Sequence, residues 1–171
     1  MEWLKHIMKK LKIYVDTSVI SHLQHEDVPE KMEDTLLFWD ELKTGKYEVV
    51  ISELTLREIM RCPQPKQTDL VNYLGEIDYK ILYNSDEVSA LAKAYVENGV
   101  LTQKRENDCV HIAFASTNEC DAIVSWNFKH MVRLKTIQGV RITNAQNGYF
   151  KPLEIVQPTM IGDDADESTG N

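Results

Sequence analysis

Residues 11–16 read LKIYVD, and residues 17–20 continue TSVI. Leu11, Ile13, Tyr14 and Val15 follow one another with no turn residue among them, the composition of a short buried strand. Asp16 closes the run, and the hydroxyl of Thr17 or Ser18 can cap a short helix over TSVISHLQ. A strand that passes into a helix without a hairpin turn is the opening of a parallel α/β sheet. The same unit recurs downstream. Pro29 opens a second helical pattern, with Met32, Leu36, Leu37, Trp39 and Leu42 on one face and Gly45 as its stop. Residues 47–52 (YEVVIS) read as the second strand and SELTLREIM as the helix after it, which Pro63 and Pro65 break before another begins. Residues 79–83 (YKILY) give a third strand, and Ser85 with Asp86 and Glu87 starts a helix that Asn98-Gly99 ends. Asn107 and Asp108 open a further helix, residues 120–126 (CDAIVSW) give the fourth strand, and residues 139–143 (GVRIT) are the expected fifth. This alternation predicts a three-layer α/β/α fold with a central parallel sheet of about five strands and right-handed crossovers.

The chain has 171 residues, room for one domain with its own core. We read residues 1–10 as a leader, 11–151 as the folded domain and 152–171 as a C-terminal tail whose acidic end has the composition of disorder. The formal net charge is −8; without Asp163, Asp164, Asp166 and Glu167 the remainder carries −4. That balance argues against a purely electrostatic nucleic-acid binder but is compatible with an enzyme that gathers acids around a divalent cation. No apolar run approaches the roughly 20 residues that span a bilayer, so no membrane association is expected. Three cysteines without a CxxC pair read as a reducing, cytoplasmic setting.

In an open parallel sheet, ligands sit beyond the carboxyl ends of the strands. The polar residues that fall there are Asp16 with Thr17 and Ser18 after the first strand, and Ser52, Glu53 and Glu58 after the second. Asp108 lies at the helix start before the fourth strand, and Ser125 and Asn127 bracket Trp126 at its end. Three carboxylates and one amide could converge on one edge. Oxygen donors without a Cys/His pattern select hard cations such as Mg²⁺ or Mn²⁺, and the chemistry best suited to them is metal-assisted hydrolysis of a phosphodiester. Each residue also has a plainer reading. Asp16 could cap its helix, Glu58 could pair with Arg57 or Arg61, Asp108 could be a first-turn acid and Asn127 a turn residue. His111, one turn after Asp108, reads more readily as a buried hydrogen-bonded histidine than as a ligand. Trp126 could stack on a base but reads first as core. His22 and His25 have no further ligand for Zn²⁺, Cys109 has no base to activate it, and no glycine-rich nucleotide loop is present.

Taken together, the motifs resemble the PIN-domain family, the nucleases that include the VapC-like toxins of toxin–antitoxin pairs. IYVDTSVI resembles the family's opening strand and first acid, SELTLREI its second acidic motif, NDCVHIAFA its third and IVSWNFKHM its fourth. The resemblance runs from about Leu11 to about Asn144. It implies a Mg²⁺- or Mn²⁺-dependent endoribonuclease with Asp16, Glu58 and Asp108 as metal carboxylates and catalytic residues. Asn127 stands where many members have Asp and would be a weaker ligand or a water-positioning group. Ser18 and Ser125 would hydrogen-bond metal waters or a phosphate. Read from the residues themselves, Lys129, His130, Arg133 and Lys135 form a basic cluster after Asn127 that is by default a solvated face, or else a rim that contacts substrate phosphates beside the cleft. The resemblance also implies an RNA substrate, a cognate antitoxin as partner and a homodimer. Two other readings stand beside it: a catalytically weak scaffold that binds RNA or protein, and a small-molecule phosphatase, for which a DxD pair is missing.

Overall fold

The apolar runs at residues 11–16, 47–52, 79–83 and 120–126 each become a parallel strand in a computed structural model, which describes residues 9–162. The strands are β1 (Lys12–Val15), β2 (Glu48–Ser52), β3 (Lys80–Leu82), β4 (Ala122–Val124) and β5 (Glu154–Val156). The helices are α1 (Thr17–His22), α2 (Pro29–Lys43), α3 (Glu53–Met60), α4 (Lys66–Leu74), α5 (Asp86–Glu97), α6 (Glu106–Thr117) and α7 (Leu134–Gln146). Short 3-10 turns occupy Gln103–Arg105 and Pro158–Met160. Every strand pair is parallel, in the order β3-β2-β1-β4-β5. The chain therefore begins mid-sheet, builds one side with β2 and β3, then crosses back to build the other with β4 and β5. The direction reverses between β1 and β4, and a crevice opens beyond the carboxyl ends of strands at such a switch point.

Alternation along the strands makes the three layers. Ile13 and Val15 point to one face, where they pack with Val19, Phe38, Trp39 and Leu70 from α1, α2 and α4. Tyr14 points to the other face, among Leu91, Tyr95, Ile112 and Val140 from α5, α6 and α7. The helix boundaries follow local chemistry. Pro29 opens α2, and Gly45 just beyond its end takes a φ of 74° that favours glycine. The Ser52 hydroxyl accepts from the Thr55 amide to start α3, and that of Ser85 from the Val88 amide to start α5.

The fifth strand departs from the sequence reading. Residues 139–143 (GVRIT) lie inside α7, not in the sheet. Their β-branched composition favours a strand, but Thr136, Val140, Thr143 and Asn144 are buried at helical spacing while Ile142 is 61% exposed. Gly139 lets the helix approach closely: a Cβ there would lie 2.9 Å from Cγ2 of Val100. The fifth strand is Glu154–Val156, with Ile155 paired to Ile123, so the sheet runs into the stretch read as tail. Three residues are too few to carry a period. Residues 1–8 of the expected leader, and the acidic end of the tail from Asp163, lie outside the described residues.

A buried polar triad joins α5, α6 and α7. The Tyr95 hydroxyl donates to Asn144 Oδ1 at 2.5 Å, and Asn144 Nδ2 donates to Ser116 Oγ at 2.9 Å. Removing one partner strands the others away from water. Tyr95→Phe is expected to lower unfolding free energy by about 1–3 kcal/mol in urea titration. An unchanged midpoint would mean that the triad adds nothing.

Candidate active site

Asp16 sits at the N-cap position of α1, yet its side chain makes no capping bond. The carboxylate turns across the β1–β4 gap instead, and Oδ2 accepts from Ser18 Oγ at 2.6 Å and Ser125 Oγ at 2.8 Å. Those hydroxyls are themselves fixed: the Trp126 amide donates to Ser18 Oγ and the Asn127 amide to Ser125 Oγ, each at 3.0 Å. Ser125 is fully buried, and its hydroxyl is directed at Asp16. Asp16 is 5% exposed.

Glu58, midway along α3, forms no ion pair with Arg57 or Arg61. Its Oε1 accepts from Thr17 Oγ1 at 3.0 Å and from His111 Nε2 at 2.5 Å. His111 joins the whole edge. Buried in α6, it lies 3.6 Å through Nε2 from Asp16 Oδ1, and its Nδ1 meets the Tyr14 hydroxyl at 2.6 Å. Tyr14 in turn bonds Ser52 Oγ at 2.7 Å. Burial opposes charge on His111, but the Glu58 hydrogen bond and the charges of Asp16, Glu58 and Asp108 outweigh it and raise its pKa above 6.5. Burial likewise opposes charge on Glu58, and the His111 hydrogen bond and charge override it, holding that carboxyl low.

Asp108 lies in the first turn of α6. Burial and then the charge of Asp16 push its carboxyl up, so the two acids feel each other. Asn127 Nδ2 donates to Asp108 Oδ2 at 3.3 Å, while Asn127 Oδ1 accepts from the His130 amide at 3.1 Å. The amide of Asn127 is thus a turn residue and a clamp on Asp108 at once. It turns its nitrogen, not its carbonyl, to the edge. Lys129 is exposed on the following loop.

The four expected residues are brought to one edge, with His111 as an added member. Sequence reasoning had weighed His111 as a buried, hydrogen-bonded histidine, which it is; its spacing from Asp108 was the signal that it shares the edge. Among the described residues no three His, Cys, Asp or Glu side chains stand as a ready metal cage. Glu58 is drawn to His111, and Asp16 Oδ2 is held by two hydroxyls. The donor chemistry nevertheless suits a hard cation: carboxylate oxygens of mutually repelling acids, with no thiolate among them.

The remaining candidates fall away. The rings of His22 and His25 lie 4.7 Å apart, and His22 Nδ1 bonds the Ser18 carbonyl. Burial pushes the Cys109 thiol up to about 12, far from a nucleophilic thiolate. Trp126 is buried and donates through Nε1 to Thr35 Oγ1 at 2.8 Å, a core role. A cavity of about 610 Å³ between α3, α5 and α6 is lined by Arg57, Lys93, Glu53 and Glu106 and by none of the edge carboxylates. No helix among the described residues is long and apolar enough to cross a membrane.

Comparison with curated proteins gave no match. Among solved structures, this fold is similar to the crystal structure of VapBC2 from Rickettsia felis bound to a DNA fragment from their promoter. The match has 12% identity and a TM-score of 0.52, and it covers 86% of this chain and 98% of the other. The family model of the PIN domain matches residues 13–129, which span Asp16, Glu58, Asp108 and Asn127. With more than half of its length so matched, the chain belongs to the PIN-domain family.

Proposed function

We propose that this PIN-domain protein is a metal-dependent endoribonuclease that hydrolyses RNA phosphodiester bonds as the toxin of a toxin–antitoxin pair. One observation supports the reading: His111 bonds Glu58 and lies 3.6 Å from Asp16, whose charge is in turn felt at Asp108. Asp16, Asp108 and Glu58 would hold Mg²⁺ or Mn²⁺, which when bound lowers the pKa of its water and offsets charge on a phosphate oxygen. Ser18 and Ser125 fix the Asp16 carboxylate, Asn127 fixes Asp108, and His111 holds Glu58 near the edge. Lys129 reaches from the rim toward the phosphate backbone without reading sequence. Cys62, Cys109 and Cys120 are free thiols, in keeping with a cytoplasmic protein.

The fold's likeness to VapBC2 supports an antitoxin partner. Leu37 on α2 and Met60 on α3 are 61% and 60% exposed, apolar positions that suit a helix-in-groove contact with an antitoxin or a second copy of the chain. The direct test is cleavage of single-stranded RNA by the purified chain. We expect cuts with Mn²⁺ or Mg²⁺ and none in excess EDTA. Intact RNA under both conditions, or cleavage undiminished by EDTA, would contradict the assignment.

The uncharged Asn127 favours a second reading, a catalytically weak scaffold. Asn127→Asp separates the two. Under the nuclease reading a carboxylate there tightens Mn²⁺ binding by about tenfold, worth roughly 1.4 kcal/mol. It also lowers stability in EDTA, because it faces Asp108 with like charge. Calorimetry showing no change in Mn²⁺ affinity would favour the scaffold.

A further inference from the structure

Next to the carboxylate edge lies a cavity of about 380 Å³ lined by Arg105, His130, Arg133 and Lys135. No aspartate or glutamate lines it. None of the three cations, Arg105, Arg133 and Lys135, forms an ion pair with a carboxylate among the described residues. Burial and the charges of Arg105, Lys129 and Arg133 hold His130 below its usual pKa, as a neutral hydrogen-bonding imidazole. Elsewhere on this acidic chain basic groups do find partners: Lys43 reaches Glu76, Lys80 reaches Glu48 and Lys151 reaches Asp121. Gathering three cations without a counter-charge costs self-repulsion, which a bound anion removes.

The cavity is built from the same pieces as the edge. Arg105 caps α6 one turn before Asp108, and its charge is felt at that carboxyl. The loop that begins at Asn127 supplies His130 and Arg133. Its first residue donates to Asp108 and accepts from the His130 amide. Arg133 Nη1 donates to the Lys129 carbonyl at 3.2 Å, and the Thr136 hydroxyl donates to the His130 carbonyl, so this wall is pinned. Two guanidinium forks, an ammonium and an imidazole facing one space match the oxygens of a phosphodiester.

We propose that this cavity is a phosphate subsite for a single nucleic-acid strand, taking the backbone phosphate beside the one at the Asp16–Asp108 edge. Only that second clause, the place of the cut, rests on the nuclease reading. The subsite offsets the repulsion that a cluster of acids and a net charge of −8 present to a polyanion. Its cations contact backbone and not base edges, so it adds affinity without sequence preference.

The test is binding of a short fluorescein-labelled oligouridylate to the full chain in EDTA across a salt series. Wild type is compared with Arg133→Gln/Lys135→Gln, two exposed positions whose change leaves the core untouched. Each single-strand phosphate contact contributes about 0.7 to the slope of log affinity against log salt, so the double variant should lose about 1.4. Lys43→Gln/Lys80→Gln makes the same charge change at the opposite end of the sheet and should keep the wild-type slope. An unchanged slope in Arg133→Gln/Lys135→Gln overturns the subsite and leaves the cavity to an acidic protein segment. An equal loss in the control pair also overturns it, since net charge alone would then explain binding. EDTA separates this result from the nuclease reading. A normal slope loss without cleavage in Mn²⁺ would sink that reading and keep the subsite, and cleavage with an unchanged slope would do the reverse.

Discussion

Asp16→Asn should reduce metal-dependent RNA cleavage by about 10³-fold or more while the protein stays folded. The substitution is close to isosteric, and the amide oxygen can still accept from Ser18 and Ser125, whose hydroxyls now hold Oδ2 at 2.6 and 2.8 Å. What is lost is the negative charge that faces Asp108. Charge stabilisation by a held divalent ion is worth several kcal/mol, and a thousandfold change corresponds to about 4 kcal/mol. The variant should stay close to wild type in stability in EDTA, because losing the Asp16 charge relieves Asp108 but also withdraws support from protonated His111. Initial cleavage rates with Mn²⁺, beside circular dichroism of both proteins, measure the two halves. Full activity in the folded variant would remove Asp16 from the chemistry.

His111→Leu carries the second large effect, on stability. It removes the shared partner of Glu58 and Tyr14 and leaves both facing an apolar side chain. Stripping one member from a buried ion pair costs about 3–5 kcal/mol; the lower end applies, because the Glu58 side chain is 29% exposed. His111→Gln keeps an N–H donor near Glu58 and should recover part of the loss. Urea titration of the three proteins in EDTA gives the ordering wild type, Gln, Leu. Equal midpoints would show the link to be passive.

The same pair sets the pH response of the metal-free protein. His111 is raised above 6.5, so its contribution is complete below that value and is lost as pH rises through the folded value. Glu58 is held below 4.5, so its contribution is complete above that value and fades as pH falls through the folded value. Both are whole between pH 4.5 and 6.5. Asp108, whose carboxyl is raised above 3.8, costs stability as pH rises from that value through its folded value. Wild type in EDTA should therefore be most stable in that mildly acidic window, and His111→Leu should lose the decline on its alkaline side.

What the sequence made legible, and what it hid, follows from the range of the interactions. LKIYVD declared itself because an apolar run and a closing acid are local; the expected hydroxyl cap does not form, since Thr17 Oγ1 donates to Glu58 and Ser18 Oγ to Asp16. The acids could be assigned to one edge because strand ends in a parallel sheet share a direction. GVRIT misled because its composition and its burial period disagree, and packing of Gly139 against Val100 decides between them. EIV at Glu154–Val156 was too short to show a period. The orientation of Asp16, away from its own helix and toward Ser125, depends on β4 lying beside β1, which no local pattern encodes. The bond from His111 to Glu58 spans 53 residues. Its only local trace was a histidine one turn after Asp108. Asn127 looked like a turn residue or a ligand, and the His130 amide settles which end of its side chain faces the acids.

The measurement that bears most directly on the site is a Mn²⁺ titration by calorimetry of wild type and Asp16→Asn. It needs no knowledge of the RNA target. Saturable binding by wild type that is lost in Asp16→Asn is the expected result, because under the proposed function Asp16 would be one of the carboxylates that hold the ion. Indistinguishable isotherms for the two proteins would contradict it, placing any bound Mn²⁺ away from the β1–β4 edge.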